Sequence, residues 1–371
     1  MNKPQEVTSG QMAAMLIGMT TGSAIVFIPN PVIDAAKKGA WISMLLSYMV
    51  GLLLLAGIVY LNRAHHGSSL IQLSKRLIGK ALTLLLAIPV IGMLLFAIPA
   101  ICAGIGDFFT SVMMKETPAY IFVSTSLITA ALTVRAGIQV MARMFVLLAL
   151  VLVFSSAMVM VLAIPLYEPG FLMPVWPTDL KPILHGTYIA SGFPFGEVVL
   201  FSMLLPYLEK NDPAAINKIF GAFTLNGLLL TLSTVCTVLV FGPLAGSIKY
   251  SLYRLAGEIE IADIIQRIES VIGIALIIGS YMKASLFLFI LNQTVIQLTG
   301  LRNDRILIYP MTLLCIVLAL TMFGNPGAFY HQVYVIWPFT VLTVSCTLLL
   351  VLVGITLAKR NPALSEGRKR S

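Results

Sequence analysis

The sequence predicts an all-helical membrane protein with ten spans. Hydrophobic residues make up 58% of the 371 residues and charged residues only 11%, whereas soluble domains carry about 25% charged residues. The apolar residues form long runs, each near the roughly 20 residues that a membrane-crossing helix needs, rather than the short alternating segments of a β-barrel. A mean hydropathy of +0.96 agrees with this. We therefore treat residues 1–371 as one polytopic membrane domain.

The apolar runs place ten spans along the chain. They cover residues 9–36, 39–62, 81–111, 117–134, 140–164, 185–208, 216–245, 268–298, 305–324 and 333–358. The N-terminus lacks the basic stretch, short apolar core and cleavage site of a signal peptide, so we expect the first span to remain in the protein. All four cysteines lie in apolar runs without a CxxC pair, which favours packing roles over a disulfide or metal site.

Lysine and arginine set the expected orientation, because cytoplasmic loops of membrane proteins are enriched in them. With both termini inside, sixteen of the 24 Lys and Arg residues fall in cytoplasmic segments, seven fall outside, and Lys283 lies within a span. We therefore expect both termini in the cytoplasm. The basic tail at 359–370 is then expected to face anionic lipid rather than nucleic acid.

Three connecting segments are longer than simple turns. Residues 68–80 have helical apolar spacing and predict an interfacial helix on the cytoplasmic side, and residues 251–270 predict an outer helix lying over the bundle. Residues 165–182 contain five prolines together with Trp176 and predict an extended outer loop at headgroup depth. These segments either pack at the interface or form a lid or partner surface.

The most informative feature is a pair of interruptions in spans one and six, which occupy equivalent positions in two halves of five spans. Residues 18–23 (GMTTGS) are followed by Pro29 and Pro31, and residues 191–197 (SGFPFGE) by Pro206. Within a helix, Gly costs about 1 kcal/mol and Pro about 3 kcal/mol. In lipid, unwound backbone persists only where it lines a cavity. Such matching interruptions indicate a transporter-type binding site with inverted repeats.

The broken helices also suggest a ligand class. Half-helices offer free N–H groups to a carboxylate and free carbonyls to an ammonium, which fits a zwitterion such as an amino acid. We expect Phe193 or Phe195 to close over the apolar part of the solute. The candidate ligand-binding residues are Gly18, Thr20, Thr21, Gly22 and Ser23 in span one, Ala103 in span three, and Gly192, Phe193, Phe195 and Gly196 in span six.

Three ionisable residues are embedded in spans: Glu197, Lys283 and Asp107. A charge at the bilayer centre costs at least about 2.5 to 3.5 kcal/mol, so these residues should face the interior and pair. Glu197 and Lys283 are expected to form a buried pair, either functional or purely structural. Asp107 lies near the outer end of span three, where it reaches outer water or Lys115.

Two motifs resemble a known superfamily. Residues 18–29 (GMTTGSAIVFIP) resemble the first-helix motif of the amino acid–polyamine–organocation superfamily, and residues 192–197 (GFPFGE) resemble its sixth-helix motif. Over its full length the chain resembles the spore-germination permease family, the B subunit of endospore nutrient germinant receptors. This resemblance implies a leucine-transporter-type fold with a 5+5 inverted repeat, a location in the spore inner membrane or cell membrane, and assembly with an A-type membrane subunit and a lipid-anchored C-type subunit.

The resemblance also implies a role for Lys283. In sodium-coupled proteins of that fold, carbonyls of span one and hydroxyls of span eight hold a cation. Lys283 lies in span eight near Ser280 and Ser285, so its ammonium is expected to replace the sodium ion. Alternatively, Lys283 loads and releases a proton, since burial readily shifts the pKa of a lysine, or it forms a permanent structural pair with Glu197.

Enzymatic functions find no support in the sequence. The four histidines lie in loops or at span ends without an HExxH motif, and no P-loop is present. We expect no catalytic residue, cofactor or metal. The sequence is compatible with a germinant-sensing subunit that binds a small nutrient and signals through its partners, with a proton- or sodium-coupled amino-acid symporter, and with a receptor-gated ion or water channel.

Overall fold

The computed structural model describes residues 6–65, 67–176, 179–209, 212–259, 267–301 and 303–360. Within these ranges the chain is almost entirely helical, and its β pairing is limited to one bridge between Val7 and Leu208. The helices are Ser9–Thr20, Ala24–Phe27 and Pro29–Ala36 in span one, Ala40–Ala64 in span two, Leu70–Phe108 in span three, Ala119–Ala136 in span four, Ile138–Leu162 in span five, Leu180–Ala190 and Gly196–Met203 in span six, Ala215–Phe241 in span seven, Glu269–Thr299 in span eight, Ile308–Thr321 in span nine, and Pro326–His331 and Trp337–Arg360 in span ten.

All ten predicted spans correspond to helical segments. Eight helical stretches of the described chain are long and apolar enough to cross a membrane. The other two predicted spans are the short apolar helix Ile308–Thr321 and the interrupted span six. The all-helical membrane prediction is therefore confirmed.

The boundary between spans one and two agrees with the predicted spans 9–36 and 39–62. Helix Pro29–Ala36 continues through one 3₁₀ turn, Lys37–Gly39, into helix Ala40–Ala64, because Pro29 at the first helical turn restarts the helix instead of ending the span. Lys37 (φ 50°) marks the bend between spans one and two. Gly79 has non-helical angles and separates the helix of span three from the preceding interfacial segment, so the predicted start of this span near residue 81 agrees with the structure.

That interfacial segment is a helix with a clear beginning and end. The Ser69 hydroxyl accepts the Gln72 N–H and the Gln72 side chain accepts the Ser69 N–H, each at 3.3 Å, which forms a capping box. Gly79 (φ 83°, ψ 173°) then separates this first part from the rest of the helix to Phe108. Its position relative to the bilayer surface stays a prediction.

The two outer segments are tied to the bundle. Phe171 in the 165–176 segment packs so closely on Gly242 that a Cβ there would lie 2.8 Å from its ring. Helix Ser251–Gly257 buries Leu252 and Leu255. Three further predictions lie outside the described residues: the second half of the outer helix at 260–266, the loop at 177–178, and the basic tail at 361–371.

The centre of the bundle is formed by spans one and eight. In each of them 78% of the membrane-spanning window is buried, and span eight packs against spans one, three, four, five and six. Large aliphatic residues such as Leu53, Leu150 and Leu350 are mostly exposed on the outside, as a lipid-facing surface requires. All four cysteines are free, and three of them are buried as expected from the sequence.

Candidate functional site

The break in span one follows helix Ser9–Thr20. The Thr21 N–H donates to Ile17 O at 2.8 Å, and the next such bond joins the Ile25 N–H to Thr21 O at 3.1 Å. Among the described residues, the amides of Gly22 and Ser23 make no hydrogen bond to a backbone carbonyl. Thr21 keeps right-handed helical angles. The break is therefore a gap in hydrogen bonding rather than an unwound loop.

The break in span six changes the backbone more strongly. Helix Leu180–Ala190 ends at a wide turn in which Phe193 is extended (φ −134°, ψ 119°) before Pro194. The span then continues as a 3₁₀ helix over Gly196–Met203. Runs of 3₁₀ helix longer than four residues are uncommon and often mark a hinge. The predicted interruption is present at this position.

Glycines at both breaks let neighbouring spans approach closely. A Cβ at Gly22 would lie 3.1 Å from Gly279 O of span eight, and a Cβ at Gly279 would lie 2.6 Å from Gly22 O. A Cβ at Gly192 would lie 2.2 Å from Pro338 Cα of span ten. No side chain fits at these three contacts without a backbone shift, so the glycines hold spans one and six against spans eight and ten.

A small cavity of about 40 Å³ lies beside both breaks. Its walls come from spans one, three, six, eight and ten and are mainly apolar and aromatic, with two charged residues. The lining residues are Ser23, Phe27, Phe96, Ala97, Ala100, Ile101, Gly104, Phe193, Glu197, Lys283, Phe329, Val333, Tyr334 and Trp337.

The two charged residues of this central cavity form an ion pair. Lys283 Nζ lies 2.5 Å from Glu197 Oε2, and the two side chains are 1% and 3% exposed. The Trp337 indole N–H donates to Glu197 Oε1 at 3.1 Å. The Lys283 ammonium also lies 3.9 Å from the centre of the Phe193 ring, within cation–π range. The pairing predicted from the sequence is thus observed, and an aromatic residue from each of spans six and ten stabilises it.

Of the ten predicted ligand-binding residues, Ser23 and Phe193 line the central cavity. The two threonines bond elsewhere. The Thr20 hydroxyl donates to Leu16 O at 2.8 Å, and the Thr21 hydroxyl donates to Asn226 Oδ1 of span seven at 2.9 Å. Their polar groups serve the helix itself and its contact with span seven.

The other predicted residues of spans one and six contact neighbouring elements. A Cβ at Gly18 would lie 2.4 Å from Met282 Cε, and a Cβ at Gly196 would lie 2.5 Å from Ser191 O. The Phe195 ring is fully buried and packs edge-on against the rings of Tyr48 and Phe223. The chain direction through Phe193 and Pro194 sends the two phenylalanines to opposite sides of span six.

Ala103 and Asp107 line a second cavity, between spans three, four, nine and ten. Phe329 borders this cavity as well as the central one. Asp107 Oδ2 lies 2.5 Å from Lys249 Nζ and accepts the Tyr250 hydroxyl at 2.7 Å. Of the two alternatives expected for Asp107, outer water or Lys115, the pairing with Lys115 was wrong, since the segment after span seven brings Lys249 to this carboxylate.

The contribution of span ten was not predicted from the sequence. Trp337, Tyr334, Val333 and Phe329 all line the central cavity. A π-helical turn, Gln332–Ile336, immediately precedes Trp337, and such turns occur frequently at functional sites. The one available signal was the Trp-Pro pair inside an apolar span, and on its own it resembles an ordinary kink.

At the far end of span six, the N-terminal segment is tied to the loop before span seven. The Val7 N–H donates to Tyr207 O at 2.8 Å. The Ser9 hydroxyl donates to Asp212, and Lys218 Nζ lies 3.0 Å from the same carboxylate. Hydrogen bonds from Ser9 and Lys218 to the charged form lower the pKa of Asp212 to about 2.

Comparison with known sequences gives consistent relatives. The model of a family described as "Spore germination protein" matches residues 6–326. Spore germination protein KB of Bacillus subtilis is 27% identical over 320 residues, which cover 85% of this chain and 84% of the relative. Spore germination protein XB of Bacillus anthracis is 22% identical over 86% of this chain and 89% of its own length.

Comparison with solved structures identifies the fold. MhsT in complex with L-phenylalanine matches with a TM-score of 0.69 and 13% identity, over 96% of this chain and 90% of the other. A manganese transporter of Eremococcus coleocola matches with a TM-score of 0.60 and 14% identity, over 94% and 77% of the two chains. The fold is that of leucine-transporter-type proteins, as the resemblance implied.

Proposed function

The chain belongs to the spore germination protein family, and from this premise we propose that it is a nutrient receptor subunit that binds an amino acid in the central cavity. Family membership supports a germinant receptor or transporter-like role. The observation that carries the more specific proposal is the buried Glu197–Lys283 pair, because among the described residues that line the cavity these two supply opposite charges in a mainly apolar wall.

The two charges suggest how a zwitterion binds. In the proposed mode, the ligand carboxylate approaches the Lys283 ammonium with the Ser23 hydroxyl nearby. The ligand ammonium takes over the position beside Glu197 and the Phe193 ring that Lys283 holds in the free protein. The ligand side chain then lies among the apolar residues of span three, such as Ala100 and Ile101.

This charge exchange makes a strong energetic demand on the ligand. Leaving one member of a buried ion pair without a partner costs about 3–5 kcal/mol. A zwitterion supplies a partner to both Glu197 and Lys283, so neither charge is left alone. An amine or a carboxylic acid supplies one partner only. We therefore expect an amino acid to bind more than about a hundredfold tighter than its amide or its N-acetyl derivative.

The test is equilibrium binding to the purified protein in detergent, measured by calorimetry with apolar amino acids, their amides and their N-acetyl derivatives. At concentrations where the amino acid binds, the proposal predicts no measurable binding of its amide or its N-acetyl derivative. Equal binding of the amide and the amino acid would show that Glu197 and Lys283 do not exchange partners with the ligand.

Phe193 and Phe195 provide a matched pair of variants. Phe193 contacts the ammonium of Lys283, whereas Phe195 packs between Tyr48 and Phe223. Phe193→Leu should weaken amino-acid binding by about 2- to 30-fold, because it removes a cation–π face worth about 0.5–2 kcal/mol. Phe195→Leu should lower thermal stability and leave affinity unchanged. The reverse pattern would move the ligand to the other side of span six.

A second candidate function is amino-acid transport, which the shared fold with transporters favours. Uptake of labelled amino acid into proteoliposomes separates a carrier from a receptor. In either case we expect sodium independence. The Lys283 Cβ lies against the break in span one, where a Cβ at Gly22 would be 3.3 Å from it, and the Lys283 ammonium supplies a fixed positive charge in the cavity beside this break. A sodium requirement for binding would contradict this role.

Signalling through an A-type membrane subunit and a C-type lipid-anchored subunit, in the spore inner membrane, is the remaining part of the proposal. It rests on family membership. Co-purification of the three chains from spores tests it, and we expect to find them in one complex. A Phe193→Leu strain should retain this complex and lose the nutrient response. A complex that never contains this chain would contradict it.

A further inference from the structure

Spans two and ten meet closely in the membrane and part near their C-terminal ends. A Cβ at Gly57 would lie 2.6 Å from Leu349 Cδ2, so the helices touch at this level. About two turns further along both helices, an open cleft separates Ala40–Ala64 from Trp337–Arg360. The cleft shares no lining residue with the central cavity, and the proposed function does not use it.

The chemistry of this cleft is basic. Arg63 and Lys359 bring two cations to its walls, and among the described residues that line it there is no carboxylate. The His65 ring and the Thr356 hydroxyl, 3.0 Å apart, add further polar groups. Tyr60 also lines the cleft. Two cations beside the His65 and Thr356 polar groups match an anion with several acceptor oxygens.

The surroundings point to lipid as the source of that anion. The same two helices expose Leu53, Leu350 and Leu357 to the exterior, at 73%, 71% and 51%, and such a surface contacts acyl chains. Arg63 and Lys359 stand at the ends of these membrane helices, which is the depth of the headgroups. Basic pockets between membrane helices bind anionic headgroups. We propose that the cleft between spans two and ten binds the phosphate group of an anionic phospholipid.

A simpler role for these cations is to offset the partial negative charge at two helix C-termini. That role and the proposed site differ in a measurable way. Offsetting the helix dipoles predicts that removal of the cations lowers stability equally in every lipid. A phosphate site predicts that the loss appears only when an anionic phospholipid is present.

The experiment compares the double variant Arg63→Gln/Lys359→Gln with Arg143→Gln/Lys80→Gln, which removes one arginine and one lysine that are exposed outside the cleft. Phosphatidylglycerol is titrated into the purified full chain in neutral detergent, and binding is followed by native mass spectrometry and thermal stabilisation. We expect about fivefold weaker binding for each cation removed from the cleft.

Control ligands and the control variant show whether the bound phosphate belongs to a lipid and whether it binds in the cleft. Phosphatidylcholine should give little stabilisation, because its headgroup has no net charge. Competition by soluble glycerol phosphate at concentrations similar to those of the lipid would support the phosphate site and assign it to a free phosphate ester. Equal weakening in the two double variants, or phosphatidylglycerol binding unchanged in Arg63→Gln/Lys359→Gln, would overturn the proposal.

Discussion

Removal of the buried lysine gives the sharpest prediction about the site. In Lys283→Met, an apolar chain of similar length replaces a side chain that is 1% exposed, so packing is largely kept. Glu197 is then left as a buried carboxylate whose remaining partner is the Trp337 indole N–H at 3.1 Å. Breaking a buried pair in this way costs about 3–5 kcal/mol, and we expect a loss of that size in the free energy of unfolding.

A double variant tests whether the unpaired charge of Glu197 causes the loss of stability in Lys283→Met. In the double variant Lys283→Met/Glu197→Gln neither charge of the pair remains, and the side-chain carbonyl of the introduced glutamine still accepts the Trp337 N–H. Replacing both members of a buried pair is often nearly neutral. The double variant should therefore be more stable than Lys283→Met alone, by about 2–3 kcal/mol.

The assay is denaturant titration of the purified protein in detergent, with Lys249→Met as control. Lys249 pairs with Asp107 at 2.5 Å, but its side chain is 51% exposed, so its loss should cost no more than about 1 kcal/mol. The proposed pairing would be refuted if the losses in unfolding free energy of Lys283→Met and Glu197→Gln simply added in the double variant. A Lys283→Met protein as stable as the wild type would also refute it.

Three further predictions concern the break, the N-terminus and the topology. Gly22→Leu should abolish ligand-induced thermal stabilisation, because its Cβ would lie 2.8 Å from Gly18 O, whereas Gly221→Leu, with no atom within 4 Å, should not; equal responses would contradict this. The pKa of Asp212 is lowered, so its contact with Ser9 and Lys218 persists above about pH 4 and weakens as pH falls toward 2. At neutral pH, Asp212→Asn should therefore speed hydrogen exchange at the Val7 amide. Unchanged exchange would contradict the contact. Single cysteines at 165–176 in a cysteine-free background should react with an impermeant thiol reagent from outside, and tail cysteines should not; the opposite pattern would reverse the orientation.

The fold was largely predictable because the bilayer permits few solutions. Long apolar runs require helices, and the two Gly/Pro interruptions fall where the structure has its breaks at Thr21 and Phe193. The start of span ten was less predictable, because its helical segments begin at Pro326 rather than at residue 333. Composition does not distinguish a break that bends the chain from one that only interrupts hydrogen bonds.

The central cavity was predictable in part. Charge alone identified Glu197 and Lys283, because an embedded ion must find a partner. Not every residue at the two helix breaks lines the cavity. Gly22 and Gly192 are glycines because Gly279 and Pro338 of neighbouring helices, respectively, pack against them. The contribution of Trp337 depends on how span ten packs, and no local pattern encodes that.

The most direct measurement is equilibrium binding of a panel of apolar amino acids to the wild type and to a variant with a filled cavity. Ala100→Phe places a ring inside the central cavity, and Ala81→Phe places the same ring on an exposed position of the same helix. We predict that Ala100→Phe loses binding of the amino acid that the wild type binds, while Ala81→Phe keeps it. Undiminished binding by a folded Ala100→Phe protein would show that the ligand does not occupy the cavity between the broken spans.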